Sequence, residues 1–216
     1  MGRIYHRLLV EAKFLGTFYT SVPAATLLLK LALNARRWQD NQFSLEKLPS
    51  FRISDLACGT GTLLMAADEA IIDNYVRVCG ENQIRPNLRE LHKILMESII
   101  YGYDVLASAV HLTASTLALQ APDIAFQKMH LYSLPLGGPH HRLGSIEFLK
   151  NREMAMTLDL FGVSTAPGQV TGSGDVMQFG SSLPDLDLCV MNPPFTRSVG
   201  GNLLFGSVPA AERSKM

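Results

Sequence analysis

Four short stretches carry side chains able to do chemistry: "LGTFYTS" (15–21), "DLACGTGT" (55–62), "YGYD" (101–104) and "NPPF" (192–195). The last follows an apolar run, "DLCVM", and its two prolines cannot donate to a strand ladder, so the strand must stop there. Asn192 brings a side-chain carbonyl, and the main-chain carbonyl of Pro193 is left free to accept. Two acceptors meeting at one point suit an exocyclic amino group with two N–H bonds to give. Phe195, just beyond Pro194, can stack on a planar ring. The plain alternative is a Pro-Pro turn with a core phenylalanine.

Gly59 and Gly61 permit tight backbone conformations and a close approach by a ligand. The helix expected after them offers free N–H groups and a positive dipole end. Asp55 can accept from a ligand ammonium or shape the loop. No Gly-Lys-Ser/Thr follows, which excludes a P-loop, and Leu64 stands where the dinucleotide fingerprint needs its third glycine. The cradle therefore suits a nucleoside ligand that need not carry a pyrophosphate. Asp104 can accept both hydroxyls of a ribose, or it can cap the helix after it. "HLYSLPLGG" (130–138) carries no acidic residue for an adenine amino group. Asp175 in "GSGDVM" is a candidate for that contact after a loop, against a solvated turn.

These stretches need elements to hold them. Leu and Ala on one face predict helices over 3–14 and 22–37. "FRISDLA" (51–57), "SIIYGYD" (98–104), "IAFQKMHLYSL" (124–134) and "DLDLCVM" (185–191) read as strands. Helices are predicted after the glycines, over "LRELHKILMESI" behind an Asn87 cap, and over "VLASAVHLTASTLALQ". Leu88, Leu91, Ile94 and Leu95 fall on one face of the second of these. Residues 134–182 read as a Gly- and Pro-marked insertion with a weak helix near "GSIEFLKN". Strands alternating with helices predict an α/β fold, a doubly wound parallel sheet with N-terminal helices. Residues 1–50 form a helical segment and 51–216 the sheet domain. Ligands of such sheets gather at the carboxyl ends of the strands, which is where the motifs fall.

Composition sets outer limits. Nineteen Lys+Arg against nineteen Asp+Glu give zero net charge, so the chain alone has no electrostatic footprint for nucleic acid. Cys58, Cys79 and Cys189 have neither paired nor metal-ligand spacing, and no metal is expected. The most apolar stretch, "VPAATLLLKLAL", is too short for a bilayer and contains Lys30. A reducing cytoplasm is the simplest compartment.

Taken together, the four stretches resemble the S-adenosylmethionine-dependent N6-adenine DNA methyltransferases. "DLACGTGTLL" is similar to that family's methyl-donor motif, "YGYD" to its acidic ribose motif, "NPPF" to its catalytic motif and "LGTFYTS" to its upstream G-x-F-Y-T-P segment. Their order matches the γ arrangement of type I modification subunits and fused restriction–modification enzymes. The likeness covers roughly residues 14–197. It implies a Rossmann-like methyltransferase fold that binds S-adenosylmethionine through Phe18, Tyr19, Thr20, Asp55, Ala57, Cys58, Gly59, Thr60, Gly61, Thr62 and Asp104. It implies catalysis at Asn192, Pro193, Pro194 and Phe195 on a flipped adenine, within a restriction–modification or phage-defence system.

The sequence departs from the family at several points. Ser21 stands where the family has Pro, the third strand end lacks its acid, and Gly61 and Asn192 are unusually far apart. The chain stops soon after "NPPF", which reads as a fragment with an incomplete sheet. DNA would then be held by a region outside the chain or by a specificity or restriction subunit. RNA adenine or a protein glutamine amide would suit the same motif, and a donor-binding piece inactive alone is the reading from another class. A cytosine N4 target fits less well, since those enzymes more often carry Ser in place of Asn192.

Overall fold

The computed structural model describes residues 20–34, 38, 42–137, 142–149, 153–154, 168–171, 176–178 and 181–193. The expected helix over 3–14 and the site residues Phe18, Tyr19, Pro194 and Phe195 lie outside them, as does Asp175.

Among the described residues the chain runs α1 (Val22–Ala32), a 3-10 turn (Leu48–Ser50), β1 (Ile53–Asp55), α2 (Thr62–Glu81) and α3 (Leu88–Ile94). A π turn (Leu95–Ile99) leads into β2 (Ile100–Asp104), followed by α4 (Ala107–Ala118) and β3 (Lys128–Ser133). Then come β4 (Leu136–Gly137), β5 (Arg142–Leu143), a 3-10 helix (Gly144–Leu149), β6 (Glu153–Met154), β7 (Gly168–Thr171), β8 (Val176–Gln178), β9 (Ser181–Ser182) and β10 (Leu188–Val190).

Six strands form one sheet in the order β10-β1-β2-β3-β7-β8. Strands β10, β1, β2 and β3 are mutually parallel, and β7 and β8 add to the β3 edge as an antiparallel hairpin. The expected α/β class with a parallel sheet is therefore present as four strands. The hairpin was not foreseen: in "QVTGSGDVMQ", read as loop, Val170 pairs with Val176. Chain order moves from β1 outward to β3, then returns to β10 on the other side of β1. The switch point of the sheet thus lies between β1 and β10, with Asp55 opposite Val190.

Alternation along β2 divides the core. Ile100 and Gly102 face the helices, where Ile53, Leu64, Ile71, Leu91, Leu95 and Leu131 are buried. A Cβ on Gly102 would stand 2.7 Å from Leu131 Cδ2 and 2.9 Å from Leu64 Cδ1, so only glycine lets α2 close on the sheet. Tyr101 and Tyr103 face the other way into a second cluster with Leu134 and Phe148. Tyr103 stacks on Tyr132 and meets Phe148 edge-on, and Tyr101 stacks on His130. Phe148 comes from the 3-10 helix inside the insertion, where "GSIEFLKN" suggested a weak helix.

Helix bounds differ from the expectations in instructive ways. α1 stops at Ala32 rather than 37; the Trp38 indole N–H donates to the Ala32 carbonyl, and Asn74 Nδ2 donates to that of Leu33. These side chains take the carbonyls a helix end leaves unpaired. Asn87 does cap α3, accepting the Glu90 N–H at 3.2 Å while its Nδ2 donates to the Glu90 carboxylate. Leu91 and Leu95 are fully buried, but Leu88, expected on that face, is 44% exposed because it sits in the first turn beyond the neighbouring helix. Residues 95–99 widen into a π turn so that α3 can enter β2. β10 is pinned to β1 by Asp187, whose carboxylate accepts the Arg52 N–H at 2.8 Å.

Candidate functional site at the strand ends

The carboxyl ends of β10, β1 and β2 lie side by side, and each carries one of the expected motifs. β1 ends on Asp55, which is 1% exposed. Its Oδ1 accepts the Ala57 N–H at 3.0 Å, an Asx turn that starts the glycine loop. Of the two roles open to Asp55, loop shaping is thus the one its hydrogen bond serves. Burial pushes its pKa up to about 7, with the Ala57 N–H opposing and the Asp104 charge adding to the rise.

The loop turns on two left-handed residues, Gly59 at φ 53 and Gly61 at φ 80. The Gly61 N–H donates to the Cys58 carbonyl at 2.8 Å, and Gly61 is the N-cap of α2, where no side chain caps the helix. A Cβ on Gly59 would meet nothing within 4 Å, so that side of the loop faces open space. A Cβ on Gly61 would instead meet Thr113 Cγ2 at 2.9 Å. Thr60 and Thr62, both expected to touch a donor, are buried, as is Cys58. Burial pushes the Cys58 thiol well up, the nearby Asp104 and Asp55 adding to it, so it is a packed thiol rather than a nucleophile.

Asp104, at the end of β2, reaches across to this loop. Its Oδ2 accepts the Gly59 N–H at 2.8 Å and its Oδ1 accepts the Leu106 N–H at 2.9 Å, just before α4. Asp104 therefore stands beside the glycine loop and shapes the turn ahead of α4, but it does not cap that helix, whose N-cap is Leu106 with no side-chain cap. With the Val105 N–H also facing it, the carboxylate still has acceptor capacity for a hydroxyl. Burial raises the Asp104 pKa, while the N–H groups of Leu106, Gly59 and Val105 pull it back.

Thr113, on α4, completes the loop and was not foreseen. Its Oγ1 donates to the Gly59 carbonyl at 2.9 Å, so the Gly59 residue is held at its N–H by Asp104 and at its C=O by Thr113. In sequence Thr113 is one polar residue in an Ala- and Leu-rich helix, with nothing to mark it.

At the end of β10, Asn192 is half-buried and Pro193 exposed. The Asn192 amide nitrogen donates to Thr20 Oγ1 at 3.0 Å, which joins the two motifs farthest apart in the chain. The Asn192 Oδ1 is left as the acceptor end of the amide. The strand end at Ser133 and Leu134 again offers no acid, as the sequence indicated.

Open space over Gly59, an uncapped helix start at Thr62 that offers N–H groups to a negative group, and the Asp104 carboxylate as an acceptor for hydroxyls fit a nucleoside-type ligand. Among the described residues no group of three His, Cys, Asp or Glu side chains could hold a metal ion. No described helix is long and apolar enough to cross a membrane.

No family model matches the chain, and no curated protein matches it. Among solved structures it is similar to a "modification subunit of a putative type I restriction enzyme" from Vibrio vulnificus YJ016, at 24% identity and a TM-score of 0.33. The match covers 55% of this chain and 20% of that one, so the chain spans about a fifth of its neighbour's length.

Proposed function

We propose that this chain is the donor-binding and catalytic portion of an S-adenosylmethionine-dependent methyltransferase that modifies the N6 amino group of adenine in DNA. One observation carries the reading: the glycine loop, Asp104 and Asn192 stand at the carboxyl ends of three adjacent parallel strands, at the switch point of the sheet. The doubly wound, Rossmann-like methyltransferase fold is part of the same proposal.

Asp104 would accept the ribose hydroxyls with the acceptor capacity left over from Gly59, Leu106 and Val105. The open side of Gly59 would let the nucleoside lie against the main chain. When bound, the donor supplies a methyl group made electrophilic by its sulfonium. Asn192 Oδ1 and the Pro193 carbonyl would accept the two hydrogens of the target amine and free its nitrogen lone pair for attack. That stabilisation grows as charge builds on nitrogen, so it acts on the transition state. An amine paired inside a duplex is out of reach, so the base must leave the stack, at a cost of a few kcal/mol. Phe195 would stack on it, and DNA contacts would come from another region or subunit.

The zero net charge favours a second reading, a donor-holding module that does not transfer by itself. Calorimetry with S-adenosylmethionine, paired with methylation of adenine in plasmid DNA, separates the two. Binding with transfer supports the enzyme, and binding without transfer supports the module. No binding at millimolar donor sinks both. Asn192→Ala is expected to abolish transfer while donor affinity stays within a few-fold. Methylation of RNA, or of a glutamine amide, in preference to DNA would overturn the substrate.

A further inference from the structure

We propose that Thr20 is a positioning residue that holds the Asn192 amide in its productive orientation. The inference rests on the reading above, in which Asn192 faces the target amine, and it concerns a residue the resemblance assigns to the donor instead. The Asn192 Nδ2 donates to Thr20 Oγ1 at 3.0 Å across 172 residues of sequence.

An asparagine amide turns about a broad, nearly two-fold torsion, so packing alone does little to decide which end faces which way. Its two ends do opposite things. Oδ1 can accept from an amine; Nδ2 would collide with it, donor against donor. In the productive orientation Oδ1 meets the amine, and Nδ2 must then be satisfied on the protein side. The Thr20 hydroxyl does this because a hydroxyl accepts as well as donates. A side chain of the same shape without the oxygen would leave Nδ2 unpaired in a half-buried place, and the amide would lose its bias at the moment it is needed.

The location supports the same role. Thr20 lies just before α1, and α1 is packed on α2 through Ala25 and Leu29, both buried in the main core. Asn192 lies just after β10, which is registered on β1 by Asp187. Both ends of the contact are therefore tied to rigid elements, and the hydrogen bond sets the amide rather than following it.

The test uses Thr20→Val and Thr20→Ser in the 216-residue chain labelled with 15N-asparagine. The Asn192 side-chain amide is identified as the resonance missing from Asn192→Asp. Thr20→Val is expected to shift that resonance, and Thr20→Ser to leave it near its original position. In turnover, Thr20→Val should lower kcat about tenfold, the loss of one hydrogen bond, with KM for the donor changed less than about threefold. Thr20→Ser should restore kcat. An unmoved resonance in Thr20→Val overturns the proposal, as does a serine variant as impaired as the valine one, or a donor affinity that falls in step with turnover. If the unmodified chain neither binds donor nor transfers, the reading under Proposed function fails, and the resonance still decides the Thr20–Asn192 contact.

Discussion

Asp104 accepts the Gly59 N–H through Oδ2 at 2.8 Å, joining the end of β2 to the loop after β1 across 45 residues. The same carboxylate takes the Leu106 N–H through Oδ1, so it is built into two backbone turns before any ligand arrives. Asp104→Asn keeps one acceptor oxygen and turns the other position into a donor that faces an N–H. We expect a loss of about 1–3 kcal/mol in urea unfolding from the unsatisfied backbone group. Donor affinity should fall about tenfold or more in calorimetry. A variant with unchanged stability and affinity would show that the loop does not depend on this carboxylate.

Thr113 holds the other side of the same residue, donating to the Gly59 carbonyl at 2.9 Å while fully buried. Thr113→Val keeps the shape and removes the donor. It should cost about 1–2 kcal/mol in stability and loosen the loop, with a weaker donor affinity, whereas Thr113→Ser keeps the hydrogen bond. If valine and serine behave alike in calorimetry, the hydroxyl plays no part in setting the loop.

How far the sequence reaches is visible in these residues. Asp55, Gly59, Gly61, Asp104 and Asn192 stand out because motifs at strand ends combine a residue type with a local signal, and the strands have apolar, β-branched runs. Thr113 has no such signal. Its role arises only when α4 packs beneath the loop, a tertiary fact that helix periodicity does not encode. The β7–β8 hairpin was missed for a different reason. Its strands are only four and three residues long, GQVT and VMQ, and pairing on the β3 edge decides their state more than propensity does. The π turn at Leu95–Ile99 is likewise set by the need to pass from a helix straight into a buried strand.

Gly61 and Thr113 offer a sharper test of that packing. Gly61→Ala would place a Cβ 2.9 Å from Thr113 Cγ2 at a φ of 80. Both the clash and the left-handed backbone oppose it, and we expect a loss of about 1–3 kcal/mol. Thr113→Ser removes the colliding methyl and retains the hydroxyl. Combined with Gly61→Ala, it should recover only the part of the clash due to Cγ2, since Oγ1 at 3.1 Å and Cβ at 3.2 Å remain, a favourable coupling in a double-mutant cycle from urea melts. Strict additivity would mean that the two residues do not touch.

Asp68 lies outside the site and gives a prediction on pH. It is fully buried on α2, neither carboxylate oxygen has a hydrogen-bond partner, and the nearest cation candidate, His92 Nδ1 on α3, is 3.9 Å away. Burial, with the Glu69 charge adding to it, pushes the Asp68 pKa up from 3.8 to about 7. Below 3.8 the acid is protonated in both folded and unfolded chains, and its contribution is fully present. As pH rises toward 7 the unfolded chain releases the proton while the folded chain keeps it, so stability is lost across that window and levels off above it. Burial lowers the His92 pKa, against the pull of Asp123, and a lowered histidine acts in the opposite sense: its contribution is lost as pH falls below 6.5. Asp68→Asn removes the first trend and keeps the second. Urea melts between pH 4 and pH 8 should therefore show wild type losing stability relative to the variant by a few kcal/mol as pH climbs to about 7, then a constant difference. Parallel curves across the range would mean that Asp68 titrates in the folded chain as it does in the unfolded one.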